Sequence, residues 1–466
     1  MINGRIIEPL ESILAARDER AVLKQAIARK GYSCVSLSLN VPGYPKSNPV
    51  TKTFFELCLT DLKYHLASNL VVVVSEEVIV RCDAAGDYFL APLAFPSGQP
   101  ALVKHICELF EMTHPLGRFL DVDVNDQLGE NITSGKYKAC FFCHEKPAIE
   151  CRRLGTHDPQ QLRGYMFEQM ASFCRQQTES QIAKKLSSFA LQAILREISL
   201  TPKPGLVDKF SNGSHHDMSF QTFVDSSASI SVRFEELVLA GFSFDNQDFS
   251  TALPLIRKIG LQMEGAMYEA TGNVNTQKGI IFLMGLSLFA FGMLYARQER
   301  FDPDSFQNLI KNICKDLVRK ELVKTIHPAK SHGEEIFLKY GLSGARGEAE
   351  SGFQTVFDQA WPLLASATEL DDTLLTRCFL AMASVSQDTN ILFRKGIVVL
   401  EEFQRHCKIA FEDFNDENYR EVIEYCSKER ISPGGSADLL AVSIFIWSVA
   451  HAESLNANHK KGKNDL

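Results

Sequence analysis

Five short segments of the C-terminal half combine glycine or proline with charged and amide side chains. They are residues 200–218 (LTPKPGLVDKFSNGSHHDM), 272–279 (GNVNTQKG), 341–352 (GLSGARGEAESG), 386–396 (SQDTNILFRKG) and 431–440 (ISPGGSADLL). Any helical protein needs glycine and proline at its turns, so separate surface turns are one interpretation. The shared composition favours another, in which the segments converge on one polar site.

The side chains in these segments suit a nucleotide polyphosphate. Carboxylates near helix starts can chelate Mg²⁺ beside phosphate oxygens, and basic side chains can bind those oxygens directly. The candidate Mg²⁺ ligands are Asp208, Asp217, Glu348, Asp388 and Asp438. The candidate substrate- and phosphate-binding residues are Lys203, Lys278, Arg346, Arg394, Asn275, Asn390, Gly434, Gly435 and Ser436. The last three belong to SPGGSAD, whose pattern is typical of a helix start with backbone N–H groups free to hold an anion.

A second acidic motif, HPLGRFLDVDV, occupies residues 114–124 of the N-terminal half. Residues two apart in a strand share a face, so Asp121 and Asp123 point the same way. Two such carboxylates can bind one Mg²⁺ and position a pyrophosphate leaving group, and Arg118 can clamp phosphate. A solvated strand face is the structural alternative.

Three cysteines and a histidine follow this motif at spacings that suit a metal. Cys140, Cys143, Cys151 and His157 offer the ligand types and loop lengths of a structural zinc site. The spacing is uncommon and there is a single C-x2-C pair, so thiols without a metal are the alternative.

The elements that must position these motifs differ between the two halves. Strand-like runs cover 33–41, 70–82 (two strands around a polar turn) and 119–124, and helical periodicity fits 8–30, 50–67 and 101–113. From residue 177 the pattern is helical, over 182–198, 220–240, 253–268, 306–323, 353–370, 373–385 and 439–450. The sequence therefore predicts two domains, an α+β domain at 1–176 and an all-α bundle at 177–466. The boundary segment RQQTES (175–180) also fits a polar helix that continues into the second domain.

Composition limits the classes of function. The 466 residues carry a net charge of −8, which argues against broad nucleic-acid binding. The apolar run at 279–296 reaches the lower length limit of a membrane span, but its glycines and isolation favour a buried core helix. We see no secretory signal at the start of the sequence, and most of the twelve cysteines are scattered singly, which favours reduced thiols. We therefore expect a cytoplasmic protein without membrane partners.

The C-terminal motifs resemble the triphosphoribosyl-dephospho-coenzyme-A synthase family. The matching strings are TPKPGLVD with NGSHHDM, VNTQKG, RGEAESGF, DTNILFRKG and SPGGSADLL, which appear in order across 180–450. Gln277 stands where the resemblance leads us to expect a histidine, which weakens a proton-transfer role there. The resemblance implies that ATP and 3'-dephospho-coenzyme A are substrates, joined through their riboses with release of adenine.

The N-terminal motifs resemble the phosphoribosyl-dephospho-coenzyme-A transferases that modify the acyl-carrier subunit of citrate lyase. The matching strings are ARDERAVLKQ, SLNVPGYPKSNP, HPLGRFLDVDV and CFFCHEKPAIECRRLGTH, across about 8–170. The resemblance implies transfer to a serine of the apo acyl-carrier protein (the gamma subunit) with loss of pyrophosphate. It also implies Mg²⁺ on Asp121 and Asp123 and phosphate binding by Lys46 and Arg118, as in a nucleotidyltransferase.

Together the two resemblances imply a bifunctional enzyme that makes and attaches the citrate lyase prosthetic group. Breaking the glycosidic bond of ATP develops positive charge at the ribose, which carboxylates would stabilise while one deprotonates the attacking hydroxyl. The sequence leaves Glu348, Asp388 and Asp217 open as that base. Three rival hypotheses are an enzyme serving malonate decarboxylase, a hydrolase of nucleotide N-glycosidic bonds, and a zinc-containing interaction module on a helical scaffold.

Overall fold

The computed structural model describes residues 9–94, 100–133, 138–323 and 332–464. Their contacts divide the chain into two compact units, Met1–Thr178 and Glu179–Leu466. One helix, Pro159–Ser199, runs through this division. The boundary segment RQQTES is therefore helical, the second of the two interpretations that its sequence allowed.

The N-terminal unit is an α+β structure built on an antiparallel sheet. Its strands are β1 (Ser33–Leu39), β2 (Val72–Val73), β3 (Ile79–Asp83), β4 (Gly86–Ala94) and β5 (Leu120–Asn125). Its helices are α1 (Pro9–Arg29), α2 (Pro49–Ser68), α3 (Pro100–Thr113), α4 (Ala148–Leu154) and the first part of α5 (Pro159–Ser199). The strand order is β2-β4-β1-β5, and β3 also pairs with β4.

The two faces of this sheet differ in character because side chains alternate along each strand. One face packs Leu37 of β1 and Val122 of β5 into a core with α2 and α3. On the other face, Cys34 of β1 packs with Ile27 of α1 in a smaller cluster. The acidic side chains of β5 share the face that α1 covers.

The described residues of the C-terminal unit form helices joined by loops and contain no strand. Its helices are α6 (Phe220–Ser231), α7 (Phe234–Phe242), α8 (Ala252–Ala270), α9 (Lys278–Ala296), α10 (Pro303–Ile313), α11 (His332–Tyr340), α12 (Gly344–Glu350), α13 (Trp361–Leu364), α14 (Asp372–Ala383), α15 (Thr389–Lys395), α16 (Ile397–Glu412), α17 (Asp416–Glu429) and α18 (Gly434–Asn464). Two π-helical turns, Arg319–Val323 and Val356–Ala360, also belong to it.

Helix α9 forms the centre of the C-terminal core. Its residues from Ile280 to Leu294 are almost all buried, which explains why its sequence is apolar on every side. By length and composition, α9 and Gly434–Leu455 of α18 are the two described helices apolar enough to span a membrane, and 78% and 61% of their apolar windows are buried in the fold. The prediction of a core helix at 279–296 is confirmed.

Several predicted elements need correction. Strand β4, the central strand of the sheet, was not predicted. The single helix expected at 220–240 is two helices, α6 and α7. The helix expected at 306–323 ends at Ile313, and the one at 353–370 is a π-helical turn followed by the short α13.

Candidate functional sites: a cavity lined by five loops in one unit, and an acidic strand in the other

All five glycine- and proline-rich segments of the C-terminal half line one cavity. Its volume is about 1370 Å³, above the roughly 300–1,000 Å³ of a pocket for one drug-sized ligand. Ten predicted site residues line it: Lys203, Asp217, Asn275, Lys278, Arg346, Glu348, Asp388, Asn390, Arg394 and Asp438, together with the backbone of Gly434 and Gly435. The segments are therefore not separate surface turns, and the cavity has room for two substrates.

Three of the four predicted phosphate-binding cations are held by carboxylates. Lys203 Nζ lies 2.6 Å from Glu197 in a buried pair. Lys278 Nζ lies 2.8 Å from Glu264, and Arg346 Nε donates to Glu321 at 2.9 Å. Arg394 lies exposed at the cavity and forms no ion pair with a described residue. It is the cation most available to a phosphate.

Asp388 has a structural role that corrects the anion-binding prediction for SPGGSAD. Its carboxylate caps α15 by accepting the Asn390 and Ile391 N–H groups, and it also accepts the Ser436 N–H at 3.2 Å. The backbone of Gly435 donates to it as well. The N–H groups at the start of α18 therefore already bind an anion, the carboxylate of Asp388, instead of being free for substrate.

The burial of Asp388 makes its carboxyl a weaker acid. The residue is 1% exposed. Burial raises the pKa of its carboxyl to about 6, although four backbone N–H groups act in the opposite direction. Ser436 is also buried; its hydroxyl pairs with Ser386, and it lies outside the cavity lining.

Asp438 belongs to α18, and its carboxylate lies against the N-terminus of α9. The Ile280 backbone N–H donates to its carboxylate. A Cβ on Gly279 would lie 1.9 Å from Asp438 Oδ2, so glycine is needed for this close approach. Burial, together with the charges of Glu197 and Asp388, raises the pKa of Asp438 well above its ordinary value. Concentrated negative charge of this kind favours a bound cation.

Glu348 is the predicted base whose position best suits proton transfer. Its two carboxylate oxygens accept from the backbone N–H and the hydroxyl of Thr355, both at 2.8 Å, which fixes the side chain. It lines the cavity, and burial raises its pKa above the ordinary range of glutamate. A fixed carboxylate with a raised pKa is a stronger proton acceptor than an ordinary glutamate.

Asp217 is exposed and lies beside His215, which is half-buried. Its carboxylate is 3.8 Å from His215 Nδ1. His215 Nε2 pairs with the Ser432 hydroxyl at 2.7 Å, and burial and then Arg394 lower the pKa of the imidazole. The predicted alternatives for the base thus occupy three different environments: fixed (Glu348), sealed (Asp388) and exposed (Asp217).

Asp208 does not take the position expected of a Mg²⁺ ligand. Its carboxylate accepts the N–H groups of Lys203, Phe210 and Ser211, so it holds its own loop and lies outside the cavity lining. Gln277, in place of the expected histidine, is buried and pairs with Ser226 and Ser227. Both side chains support the walls of the site.

In the N-terminal unit, Asp121 and Asp123 lie on the same face of β5, as their spacing predicts. Both are half-buried, whereas Leu120, Val122 and Val124 between and around them are buried. Lys24 of α1 lies 3.6 Å from Asp123. Burial and then the charge of Asp123 raise the pKa of Asp121. Two carboxylates that disfavour each other's charge are a fit for one divalent cation.

The two cations expected near this pair are held differently. The Arg118 guanidinium donates to the Ala139 carbonyl through both Nε and Nη2. Gly117 approaches the backbone of Glu111 so closely that a Cβ would lie 1.8 Å from its carbonyl oxygen. Lys46 Nζ donates to the Val41 carbonyl at 2.5 Å and pairs with neither acid in the described structure.

The cysteine cluster is assembled in the fold. The ligand atoms of Cys140, Cys143, Cys151 and His157 all lie within 4.8 Å of one another. Among the described residues, this is the one group of three or more Cys, His, Asp or Glu side chains placed to share an ion. The predicted Mg²⁺ ligands of the C-terminal half therefore do not form a single ligand set.

Comparison with known proteins matches both units. Residues 183–457 match the family model described as ATP:dephospho-CoA triphosphoribosyl transferase. Residues 8–173 match the model described as apo-citrate lyase phosphoribosyl-dephospho-CoA transferase. Over 436 residues the chain is 31% identical to Protein CitXG of Leuconostoc mesenteroides subsp. cremoris, covering 88% of this chain and 90% of that protein. The chain belongs to the CitXG family.

Two other relatives match most of the chain and about half of it, respectively. The chain is 29% identical to Protein CitXG of Haemophilus influenzae, covering 94% of this chain and 96% of that protein. The 2-(5''-triphosphoribosyl)-3'-dephosphocoenzyme-A synthase of Pectobacterium atrosepticum is 39% identical over 263 residues, or 56% of this chain and 86% of that protein. Both predicted resemblances are confirmed, and the chain is a transferase.

Some side chains at these sites were not predicted. Lys24 and Arg20 of α1 face the acidic side of the sheet, and Glu197, Glu264 and Glu321 hold the cavity cations. The sequence predicted the helix that carries Lys24 and Arg20, at 8–30, but not that these two side chains face the sheet. The three glutamates lie in helices or a helical turn outside the glycine-rich segments, so nothing local in the sequence distinguishes them.

Proposed function

We propose that this CitXG family chain carries out two consecutive transfers. In the first, the 2'-hydroxyl of 3'-dephospho-coenzyme A attacks C1 of the ATP ribose, and the bond from that carbon to adenine breaks. The products are 2'-(5''-triphosphoribosyl)-3'-dephospho-coenzyme A and adenine. The convergence of five loops on one cavity with room for two substrates carries this proposal.

Glu348 is the residue that we assign as general base of the first transfer. It would accept the proton of the attacking hydroxyl, while its charge stabilises the oxocarbenium-like ribose. Arg394 would bind the retained triphosphate. Asp388 is assigned to the structure of the cavity wall because its carboxylate is buried beneath the start of α18.

In the second transfer, a serine hydroxyl of the apo acyl-carrier protein attacks the α-phosphorus of that triphosphate. The phosphorus–oxygen bond to the pyrophosphate breaks, and the phosphoribosyl-dephospho-coenzyme A group stays on the serine through a phosphodiester. We place this nucleotidyltransferase-like step at residues 1–176 and the first step at 177–466. Asp121, Asp123, Arg118 and Lys24 are the side chains that support it.

We also propose that the chain binds two kinds of metal ion. Mg²⁺ would be held by Asp121 and Asp123, and in the cavity by Asp438 with substrate phosphates, since Mg²⁺ is usually bound by one or two carboxylates and phosphate oxygens. Bound there, it would neutralise polyphosphate charge. Zinc is the second metal, at the cysteine cluster. The enzyme would act in the cytoplasm, on the gamma subunit of citrate lyase.

Chromatographic measurement of free adenine tests the first transfer. We expect adenine only when ATP and dephospho-coenzyme A are both present. Adenine released from ATP alone, at the same rate, would instead identify a nucleotide N-glycoside hydrolase. Offering the apo carriers of citrate lyase and of malonate decarboxylase in parallel tests the malonate decarboxylase hypothesis, and we expect modification of the citrate lyase carrier.

A further inference from the structure

The segment 138–157 brings together four metal-binding side chains from three short pieces of backbone. Cys140 and Cys143 lie in a hairpin closed by the Cys140 N–H donating to the Lys146 carbonyl at 2.7 Å and by a bridge between Ala139 and Pro147. Cys151 comes from α4, which ends at Gly155 in the left-handed region, and His157 follows. His144 also has positive φ, 59°, as the chain turns after Cys143.

The distances fit one tetrahedral ion. Cys143 Sγ and Cys151 Sγ are 3.7 Å apart. Two thiolates at about 2.3 Å from a zinc ion in tetrahedral geometry are separated by about 3.8 Å. A disulfide needs its sulfurs at about 2.05 Å. The observed separation is therefore that of two ligands of one metal.

Two further observations indicate that these side chains bind an ion. His157 Nε2 is buried and has no hydrogen-bond partner in the described structure, which is costly for a ring nitrogen unless an ion binds there. Cys140 and Cys151 are buried but belong to none of the three hydrophobic clusters. Apolar packing alone does not account for their burial.

The same segment is joined to the acidic strand. Ala139, next to Cys140, accepts both hydrogen bonds from Arg118. Lys138 Nζ lies 2.8 Å from Glu111, and Glu111 in turn accepts the backbone N–H of Val122, the residue between the two acids of β5. A displaced hairpin would therefore release Arg118 and Glu111 together.

We infer that Cys140, Cys143, Cys151 and His157 form a closed structural zinc site that positions Arg118 and the strand β5. All four coordination positions are filled by protein, so the ion has no open position for substrate. Cys140, Cys143, Cys151 and His157 are ligands, and Ala139 and Lys138 transmit the position of the ion. Only the positioning of the second transfer rests on the proposed function; binding of the ion does not.

Metal analysis of the purified full-length chain tests the site. We expect about one zinc per chain, and Co²⁺ exchanged into the chain should give the intense visible absorption and thiolate charge transfer of tetrahedral coordination. Cys143→Ser and His157→Ala should lose the zinc and the spectrum. The matched control Cys82→Ser changes an exposed cysteine outside the cluster and should keep both. A wild-type chain without zinc, or variants with unchanged zinc content, would overturn the site.

A chelator that removes the ion from the wild-type chain tests whether zinc positions Arg118 and β5. This test does not depend on whether the ligand variants fold. We expect transfer to the carrier to fall on the order of 100-fold, because misplacement by about 1 Å costs that much, while adenine release is unchanged. Equal transfer rates with and without zinc would overturn the positioning role. A zinc-loaded wild-type chain without any transfer would contradict the proposed function instead.

Discussion

At the scale of single residues, the structure separates carboxylates that the sequence treats as equivalent. Glu348, Asp388 and Asp217 all follow glycine-rich or polar turns, so their types and spacing leave the general base open. The fold distinguishes them. Glu348 is held by hydrogen bonds beside the cavity, Asp388 is buried under α18, and Asp217 is exposed. Their hydrogen-bond partners create these differences: Thr355 for Glu348, and Ser436, far along the chain, for Asp388.

Glu348→Gln should nearly abolish adenine release. Loss of a general base costs about 10²- to 10⁴-fold in rate, and glutamine keeps the size and the Thr355 contact. Steady-state release from ATP and dephospho-coenzyme A is the measurement. Glu350→Gln on the same helix lies outside the cavity lining and serves as the control. Similar losses in both variants would mean that the helix, rather than the carboxylate, matters.

The pH dependence of the same rate gives a second test of Glu348. A base must be deprotonated, and burial raises the pKa of this carboxyl. Activity should therefore fall on the acid side at a pH above about 4.3, the ordinary pKa of glutamate. A rate that is flat down to that pH would contradict the assignment.

Asp388 should make the stability of the chain depend on pH. Its pKa is raised to about 6 in the fold, against about 3.9 unfolded. The stabilisation that the raised pKa provides is fully present below about pH 4 and is lost as the pH rises through 6. Relative to Asp388→Asn, the wild-type unfolding midpoint should thus decline between pH 4 and 7. A constant difference in midpoint would show that this carboxyl does not titrate in that window.

At the scale of elements, local periodicity predicted the strands and helices whose burial follows one pattern. Local periodicity predicted the strands β1, β2, β3 and β5 and most of the helices. It missed β4, because that strand is buried on both faces and contains Pro92, which removes the alternation and suggests a turn. It joined α6 to α7 because both pack an apolar stripe on the same core, and only tertiary packing shows the break between them.

Close backbone approaches are a feature of elements that the sequence did not predict. Gly117→Ala would place a Cβ 1.8 Å from the carbonyl oxygen of Glu111, so the backbone before β5 must move. We expect a loss of roughly 1–3 kcal/mol in stability and a large loss of transfer to the carrier. Gly164→Ala on α5 meets no atom within 4 Å and should be neutral or slightly stabilising. Equal unfolding midpoints for Gly117→Ala and the wild type would refute this.

At the scale of the whole molecule, the two units provide consecutive reactions on one chain. The motifs of each half predicted its family without reference to the other half. The sequence could not show that the five loops share one cavity, because residues from 194 to 441 meet there only through the packing of the bundle. Nor could it show that SPGGSAD binds the carboxylate of Asp388 rather than a substrate phosphate.

The intact mass of the acyl-carrier protein tests the two-step account most directly. Asp121→Asn is incubated with ATP, Mg²⁺ and dephospho-coenzyme A, the protein is removed, and the filtrate is given to Glu348→Gln with apo carrier. We predict that each variant alone leaves the carrier mass unchanged, and that the filtrate restores the full gain of one phosphoribosyl-dephospho-coenzyme A group. A filtrate that contains no adenine, or that leaves the carrier unmodified while the wild-type chain modifies it, would contradict the assignment of one transfer to each unit.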